Sequence, residues 1–167
     1  MSNFQQVCDI NATAGNTVNP NWTTVKRQLA IIEREWVELN THIEDKDAGE
    51  NLANIRDDLC DVLVTVYGMG YLLGLDLDAD MLVATEALKS RFDTTPEDYE
   101  HTRQKYLALG VPVMCRSVNR NGMQYYVTVC TADVTGSNGE KYVKGKWLKS
   151  YKFHEPVYSP TDIVITD

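Results

Sequence analysis

Two pairs of acidic residues with the same internal spacing lie in the first half of the chain. Glu35 and Glu38 are three positions apart, as are Asp58 and Asp61, and 19 residues separate the two pairs. Residues three apart on a helix share a face, so each pair can offer two carboxylates to one ligand. Four carboxylates brought together repel one another unless a cation neutralises them. Oxygen ligands without histidine or cysteine favour Mg²⁺, with Mn²⁺ as a substitute.

Both pairs lie on segments whose apolar residues recur at alternating steps of four and three. This period predicts two long amphipathic helices. If they pack antiparallel through their apolar stripes, the four carboxylates meet at the edge of the seam. The alternative is two solvated helix faces, but Asp61 directly precedes a long apolar run and is costly there without a partner. The stripes are Val25, Leu29, Ile32, Trp36, Leu39 and Ile43, then Leu52, Ile55, Leu59, Val62, Val66 and Met69.

Three further helices are expected around these two. The first carries Phe4, Val7 and Ile10 and ends near Gly15. The long second helix begins at a cap formed by Thr23 or Thr24 and is broken by the stretch EDKDAGE. Glycine ends the third helix, at position 74. The fourth runs from Asp78 or Asp80 to about Phe92, and the fifth starts in TTPED and stops before Gly110 and Pro112.

After Pro112 the pattern changes from helix to strand. Asn121-Gly122 and Asn138-Gly139 are strong hairpin turns, the first of them directly before the β-rich stretch MQYYVTVCT. The tail from His154 is expected to be irregular. The sequence therefore predicts a mainly α protein, a bundle of four to five helices over residues 1–110, with a small antiparallel β extension over residues 111–167.

The composition is that of an ordinary globular domain. The 167 residues carry a formal net charge of −8, which disfavours general binding to nucleic acid or anionic membranes. The apolar run from Val62 to Leu75 is too short to span a bilayer. Four cysteines without a CxxC motif predict neither a disulfide framework nor a zinc site, so a reducing cytosol is expected. The N-terminus lacks the features of a signal peptide.

The acidic motif resembles that of the MazG-like all-α nucleotide pyrophosphohydrolases, which is EExxE, a spacer and ExxD. REWVE at residues 34–38 matches the first half and DLCD at residues 58–61 the second. Two positions depart from the pattern, since Arg34 replaces the first acid and Asp58 replaces a glutamate. The stretches DVLVTVYGMGYLLGLDLD, KSRF, TPEDYEHTRQKYLALG and YVKGKWLKSYKFHEP extend the likeness to the phage-type subgroup, across most of residues 23–156.

The resemblance implies hydrolysis of a nucleoside triphosphate between the α and β phosphates, giving monophosphate and pyrophosphate. Mg²⁺ held by the four carboxylates would bridge the phosphates and activate a water, with Glu35 or Glu38 orienting that water. Lys89, Arg91, Lys146 and Lys149 are then the candidates for binding phosphate, with Lys144 weaker.

The base pocket of such a fold lies among the first and core helices. Phe4 and Asn11 are the candidates for base binding, and Trp22 and Trp36 could stack there, although Trp36 is expected in the core and Asn11 could instead cap local backbone. The three histidines show no mutual pattern and are interpreted as structural. The resemblance also implies a homo-oligomer, a dimer or tetramer. Family substrates include several deoxynucleotides, among which dGTP in a phage modified-base pathway is one candidate.

Two other functions remain open from the residues alone. Arg34 in place of an acid is consistent with a catalytically inactive nucleotide sensor, which would bind nucleotide with metal but not turn it over. A structural helical protein with solvated acidic faces is the third possibility.

Overall fold

Residues 1–45 and 51–167 are described by the structure, a computed structural model of the chain. Within them, five helices precede two small antiparallel β-hairpins, which confirms the predicted mainly α fold with a β extension. The predicted break at EDKDAGE lies largely outside the described residues. The helices are α1 (Asn3–Thr13), α2 (Trp22–Glu44), α3 (Asn51–Leu73), α4 (Leu77–Lys89) and α5 (Pro96–Ala108), and the strands are β1 (Val113–Arg120), β2 (Met123–Cys130), β3 (Val134–Thr135) and β4 (Lys141–Tyr142).

The helix ends follow local side-chain chemistry, with one correction to the prediction. Asn21, not Thr23 or Thr24, caps α2. Its backbone is extended, and its side-chain oxygen accepts a hydrogen bond from the backbone amide of Thr24. Thr95 caps α5 through the amide of Asp98, and Pro96 opens that helix. Gly74 ends α3 as predicted, with a positive φ of 74° that glycine adopts without strain.

Helix α4 ends three residues before the predicted position. The chain leaves the helix at Lys89 because Asp93 exchanges both backbone hydrogen bonds with Tyr126 of β2, at 3.1 and 2.8 Å. This pairing turns the residues between Lys89 and Asp93 out of helical geometry.

The chain forms two compact units. The first contains residues 1–81 together with 159–167, and the second contains residues 82–158. This division differs from the predicted boundary at residues 110 and 111, since α5 packs against β1 and β2 in the second unit. No single helix of the described chain has the length and apolarity to cross a membrane, and only α3 and α4 together pass that test, across a 114° bend.

The first unit is built on α2 packed against α3, with α1 on α3 as well. The predicted apolar stripes are only partly buried there. Leu39 is 3% exposed, but Trp36 and Ile43 are each 56% exposed and Leu59 is 48% exposed. The expectation that Trp36 is a core residue is therefore wrong for the single chain, because the main helix contacts of this unit leave one side of the α2–α3 layer open.

The second unit has a small core beneath the hairpins. Val111, Cys130 and Leu148 are buried with the rings of Tyr106 and Tyr142, which meet edge to face. The two-residue turn Asn121-Gly122 takes positive φ angles and joins β1 to β2 as predicted. The Asn138-Gly139 turn lies in the second hairpin, between β3 and β4. All four cysteines are free thiols.

Candidate metal and phosphate sites

The packing of α2 on α3 brings the two predicted carboxylate pairs into the same region of the first unit. Glu35 and Asp58 are buried, with 8% and 6% exposure, whereas Glu38 and Asp61 are exposed. Each helix therefore contributes one buried and one solvent-facing carboxylate. Burying an acid is unfavourable unless a cation or hydrogen bonds compensate it, so the partners of Glu35 and Asp58 define this region.

Each buried carboxylate has a basic side chain as its partner. The guanidinium Nη2 of Arg34 lies 2.6 Å from Oε1 of Glu35, and the imidazole Nδ1 of His42 lies 2.6 Å from Oδ2 of Asp58. The hydrogen bond to Asp58 raises the pKa of His42 above 6.5, and the charge of Glu38 raises it further. The imidazole is therefore held towards its protonated form.

His42 is a residue that the sequence reasoning missed, since it was interpreted as structural without a link to the acids. The position of His42 in the sequence does indicate that it lies near the acids. His42 follows Glu38 by four residues and Glu35 by seven, so all three share one face of α2. The pairing of His42 with an acid on the neighbouring helix depends on how α2 packs on α3, which the spacing within one helix does not specify.

The pKa of Asp61 is raised by its surroundings, which include carboxylates of both α2 and α3. Partial desolvation raises its pKa, and the negative charges of Asp57, Glu35 and Asp58 raise it further. A carboxyl group whose ionisation is opposed by its neighbours is the expected state of an acidic cluster without a neutralising ion. Together with the effect of Glu38 on His42, this places all four predicted acids within electrostatic range of one another or of a shared partner.

The donor chemistry of this cluster fits a hard cation, but its present geometry is not that of a chelate. Over residues 1–45 and 51–167, no three His, Cys, Asp or Glu side chains converge as a metal-ligand group. Instead, Glu35 is paired with Arg34, and Asp58 lies within hydrogen-bond distance of His42. A metal bound by Glu35 and Asp58 would have to displace the side chains of Arg34 and His42.

In the second unit, three of the four residues predicted to bind phosphate line one cavity of about 390 Å³. We call it the cationic cavity. Its basic side chains are Arg91, Lys105, Lys146 and Lys149, and its other polar side chains are Tyr106, Asn138, Glu140 and Tyr142. Four cations and one carboxylate leave the wall with a net positive charge, which suits an anion with several charges.

Two features show that the cations of this cavity are not fully compensated by the protein. Burial lowers the pKa of Lys105, and the charge of Lys149 lowers it further. The Nε of Arg91 is buried and has no hydrogen-bond partner in the described part of the chain. Lys149 does pair with Glu155 at 2.6 Å, and its ammonium also lies 4.2 Å from the ring centroid of Phe153. An incoming anion would supply the missing partners.

Lys105 was not among the predicted phosphate ligands. It lies in the middle of α5, where the sequence offers no motif, and only the tertiary structure brings it beside Lys149: its ammonium donates to the Lys149 carbonyl at 3.4 Å. Lys89, in contrast, does not line the cationic cavity. It pairs with Glu86 at 2.5 Å and lines a different cavity of the same unit. Lys144 is exposed.

The two residues predicted to bind the base are engaged within the first unit. Phe4 is 7% exposed and packs edge to face on Tyr67, with 5.7 Å between ring centroids. The side-chain amide of Asn11 donates to the Val7 carbonyl at 2.9 Å and accepts from Asn16 at 2.9 Å. The bond to the Val7 carbonyl is the local backbone contact expected as the alternative for Asn11, and base binding by either residue stays a prediction.

The comparisons with known proteins give little guidance to function. No protein-family model matches the chain. A similar protein, "Uncharacterized protein L479" of Acanthamoeba polyphaga mimivirus, is 35% identical over 86 residues. The match covers 46% of this chain and 33% of that protein, so the chain spans about a third of the length of the relative that it matches.

Proposed function

We propose that this protein hydrolyses a (deoxy)nucleoside triphosphate to the monophosphate and pyrophosphate in a Mg²⁺-dependent reaction. The observation that supports this most is the carboxylate cluster of α2 and α3, in which Glu35 and Asp58 are buried and Asp61 is opposed in its ionisation by its neighbours. The proposed reaction class comes from the motif-level resemblance to the MazG-like enzymes, and the carboxylate cluster supports α2 and α3 as its proposed location.

The four acids Glu35, Glu38, Asp58 and Asp61 would hold the metal. Bound Mg²⁺, or Mn²⁺ in its place, would neutralise charge on the phosphates and lower the pKa of a water. Glu35 or Glu38 would orient that water towards the phosphorus. Arg34 and His42, which contact the two buried acids at 2.6 Å, would have to release them for Mg²⁺ to be held there.

The cationic cavity of the second unit supports, taken by itself, the binding of a polyphosphate anion. Pyrophosphate carries several negative charges, and three of the residues predicted to bind phosphate, Arg91, Lys146 and Lys149, line this cavity. Lys105 adds a fourth basic residue, whose pKa is lowered by burial and further by the charge of Lys149. Charge-assisted contacts to phosphate are the stronger kind of hydrogen bond, so this cavity is suited to polyphosphate oxygens.

A homo-oligomer, dimer or tetramer, is part of the proposal. The open side of the α2–α3 layer carries large apolar side chains that include Leu29, Trp36, Leu59 and Leu63, each at least 45% exposed. Apolar surface of this kind on a globular protein marks an interaction site. A cytosolic location, host cytoplasm for a phage-encoded protein, and a deoxynucleotide substrate such as dGTP stay part of the same proposal.

One observation favours a second function, a catalytically inactive nucleotide sensor of the same fold. Arg34 stands where the MazG-like motif has an acid, and its guanidinium lies 2.6 Å from Glu35. A permanent ion pair there would remove one metal ligand. The sensor would bind nucleotide with Mg²⁺ but release no product.

Product analysis separates the two functions. The purified protein is incubated with MgCl₂ and each common dNTP and NTP, and ion-exchange chromatography with a pyrophosphate assay identifies the products. Monophosphate plus pyrophosphate from one nucleotide supports the enzyme. Binding without turnover supports the sensor. Neither binding nor turnover refutes both and leaves a structural role for the acidic faces.

Matched variants locate the activity. Glu38→Gln and Asp61→Asn should abolish turnover while leaving the circular dichroism spectrum and the oligomeric state unchanged. Glu33→Gln is the control, because Glu33 is an exposed acid on the same helix. Equal loss in all three variants, or full activity in the first two, would place the chemistry outside this cluster.

A further inference from the structure

A second cavity in the unit formed by residues 82–158 combines aromatic walls with basic side chains. Its volume is about 340 Å³, within the range typical of small-molecule sites. We call it the aromatic cavity. It is lined by Phe92, Val118, Tyr125, Val127 and Trp147 and by the three cations Lys89, Arg116 and Arg120. Over the described residues, no aspartate or glutamate lines it.

The β1–β2 hairpin builds one wall of the aromatic cavity. Arg116, Val118 and Arg120 alternate along β1 and so share one face of the ribbon. The register pairs Arg116 with Val127 and Val118 with Tyr125, which puts their side chains on that same face. The two arginine side chains therefore flank an apolar pair, with their Cα atoms about 13 Å apart along the strand.

The other wall is fixed by backbone pairing along the outer edge of β2. The Leu148 amide donates to the Thr128 carbonyl at 2.8 Å, which holds the neighbouring Trp147 beside the strand. Phe92 contacts Tyr125 and Trp147 edge to face, with 6.4 and 6.0 Å between ring centroids. Trp147 nevertheless remains 52% exposed, so part of its indole is available to a ligand.

The arginines of this cavity have no anionic partner among residues 1–45 and 51–167. Neither Arg116 nor Arg120 makes an ion pair or side-chain hydrogen bond within the described residues, whereas Lys89 pairs with Glu86. An anion long enough to span the two positions would pair with both exposed guanidinium groups. Arginine is also the side chain best suited to phosphate, which it can bind with two parallel hydrogen bonds.

We propose that the aromatic cavity is a nucleotide-binding site that needs neither the carboxylate cluster nor a metal. A nucleoside phosphate joins the two chemistries that the cavity offers, a flat ring for Trp147 and Tyr125 and anionic oxygens for Arg116 and Arg120. A single concave site in a chain of net charge −8 favours a free nucleotide over a nucleic-acid strand, which requires an extended basic track. This site is additional to the proposed hydrolytic function.

Titration calorimetry of the full chain in EDTA tests the proposal, with ATP, GTP, CTP and UTP as separate probes. At least one nucleotide should bind, and the Arg116→Gln/Arg120→Gln double variant should bind it at least tenfold more weakly. The Lys26→Gln/Arg27→Gln double variant is the control, because it removes the same charge from exposed positions of α2 and should stay within twofold of the wild type.

Tyr125→Leu is the second, independent variant, because Tyr125 lines only the aromatic cavity of the two cavities described here. Loss of base stacking should weaken binding about fivefold or more, with an unchanged circular dichroism spectrum as the folding check. Since the proposed turnover requires Mg²⁺, binding in EDTA is a separate readout, and it is expected even if the hydrolytic proposal fails.

Four outcomes would overturn the proposal. The first is absence of binding by all four nucleotides at millimolar concentration. The second is equal affinity in the wild type and the Arg116→Gln/Arg120→Gln variant. The third is inorganic triphosphate binding as tightly as the nucleotides with the same arginine dependence, which would make the site one for phosphate alone. The fourth is a ten-residue oligothymidylate binding at least tenfold more tightly than any mononucleotide, which would indicate a single-strand site instead.

Discussion

A Tyr106→Phe substitution should make the protein less stable near neutral pH but more resistant to alkali than the wild type. Tyr106 forms part of the wall of the cationic cavity and is 5% exposed. Its hydroxyl donates to the carbonyl of Lys149 at 2.9 Å. Burial, followed by the neighbouring Tyr142, raises the pKa of Tyr106 to about 12, although the hydrogen bond to Lys149 lowers it.

The size of the effect follows from this pKa. An unfolded tyrosine ionises near pH 10, so the unfolded chain loses this proton first and stability falls as the pH rises from 10 towards 12. Two pKa units correspond to about 2.7 kcal/mol in total, of which roughly 1.4 kcal/mol is lost by pH 11. The variant escapes this loss but lacks a hydrogen bond that contributes about 1 kcal/mol. The two stability curves should therefore cross between about pH 10 and 11.

Urea unfolding followed by circular dichroism at several pH values between about 8 and 11 measures the difference between variant and wild type. Ionisation of all other groups is common to both proteins and largely cancels in this difference. Tyr158→Phe is the control, since its ring is 49% exposed and its stability should follow the wild type at every pH. A constant difference between Tyr106→Phe and wild type across this range would refute the reasoning that this hydroxyl is desolvated.

Three other predictions follow from the structure. The hydrogen bond to Asp58 raises the pKa of His42 above 6.5, so the His42–Asp58 pair stabilises the fold fully below that pH and less as the pH rises through the folded-state pKa. His42→Gln should therefore reduce the dependence of the free energy of unfolding on pH in this range, as measured by urea unfolding. The same pH dependence in variant and wild type would show that the pair does not stabilise the fold. Trp36→Asp should lower the molar mass measured by light scattering, because it disrupts the proposed subunit interface. A wild-type protein that is already monomeric would refute this prediction. Gly122→Ala places a side chain at a φ of 76° and should lower stability by about 1–2 kcal/mol, seen as a lower melting temperature, whereas an unchanged one would refute the strain.

Most of the fold was predictable because its signals are local. Helical periodicity, Pro96 at the first turn of α5, Gly74 after α3 and the Asn-Gly turns each act over a few residues, and the structure follows them. The errors also have local causes. Asn21 competes with two threonines for the same cap, and α4 stops early because Asp93 pairs with a strand that is distant in sequence.

The candidate site was predictable only in part. Identical i, i+3 spacing on two amphipathic helices brought out Glu35, Glu38, Asp58 and Asp61, and the packing of α2 on α3 places them in one region. Which of them are buried, and that Arg34 and His42 neutralise the buried ones, was not predictable. Ion pairs depend on the relative rotation and register of two helices, which a single stripe of apolar residues does not specify.

The sequence by itself determined the elements, their order and the residue types available for chemistry, because these depend on propensities and spacings within one segment. Tertiary structure alone decided the rest. It exposed Trp36, which periodicity had assigned to the core, because burial requires a partner surface and not only an apolar stripe. It also gathered Arg91 and Lys105 with Lys146 and Lys149 around one cavity, and set Arg116 and Arg120 opposite Trp147 in another. Cavities form between segments far apart in the chain, so their linings are fixed only when those segments pack.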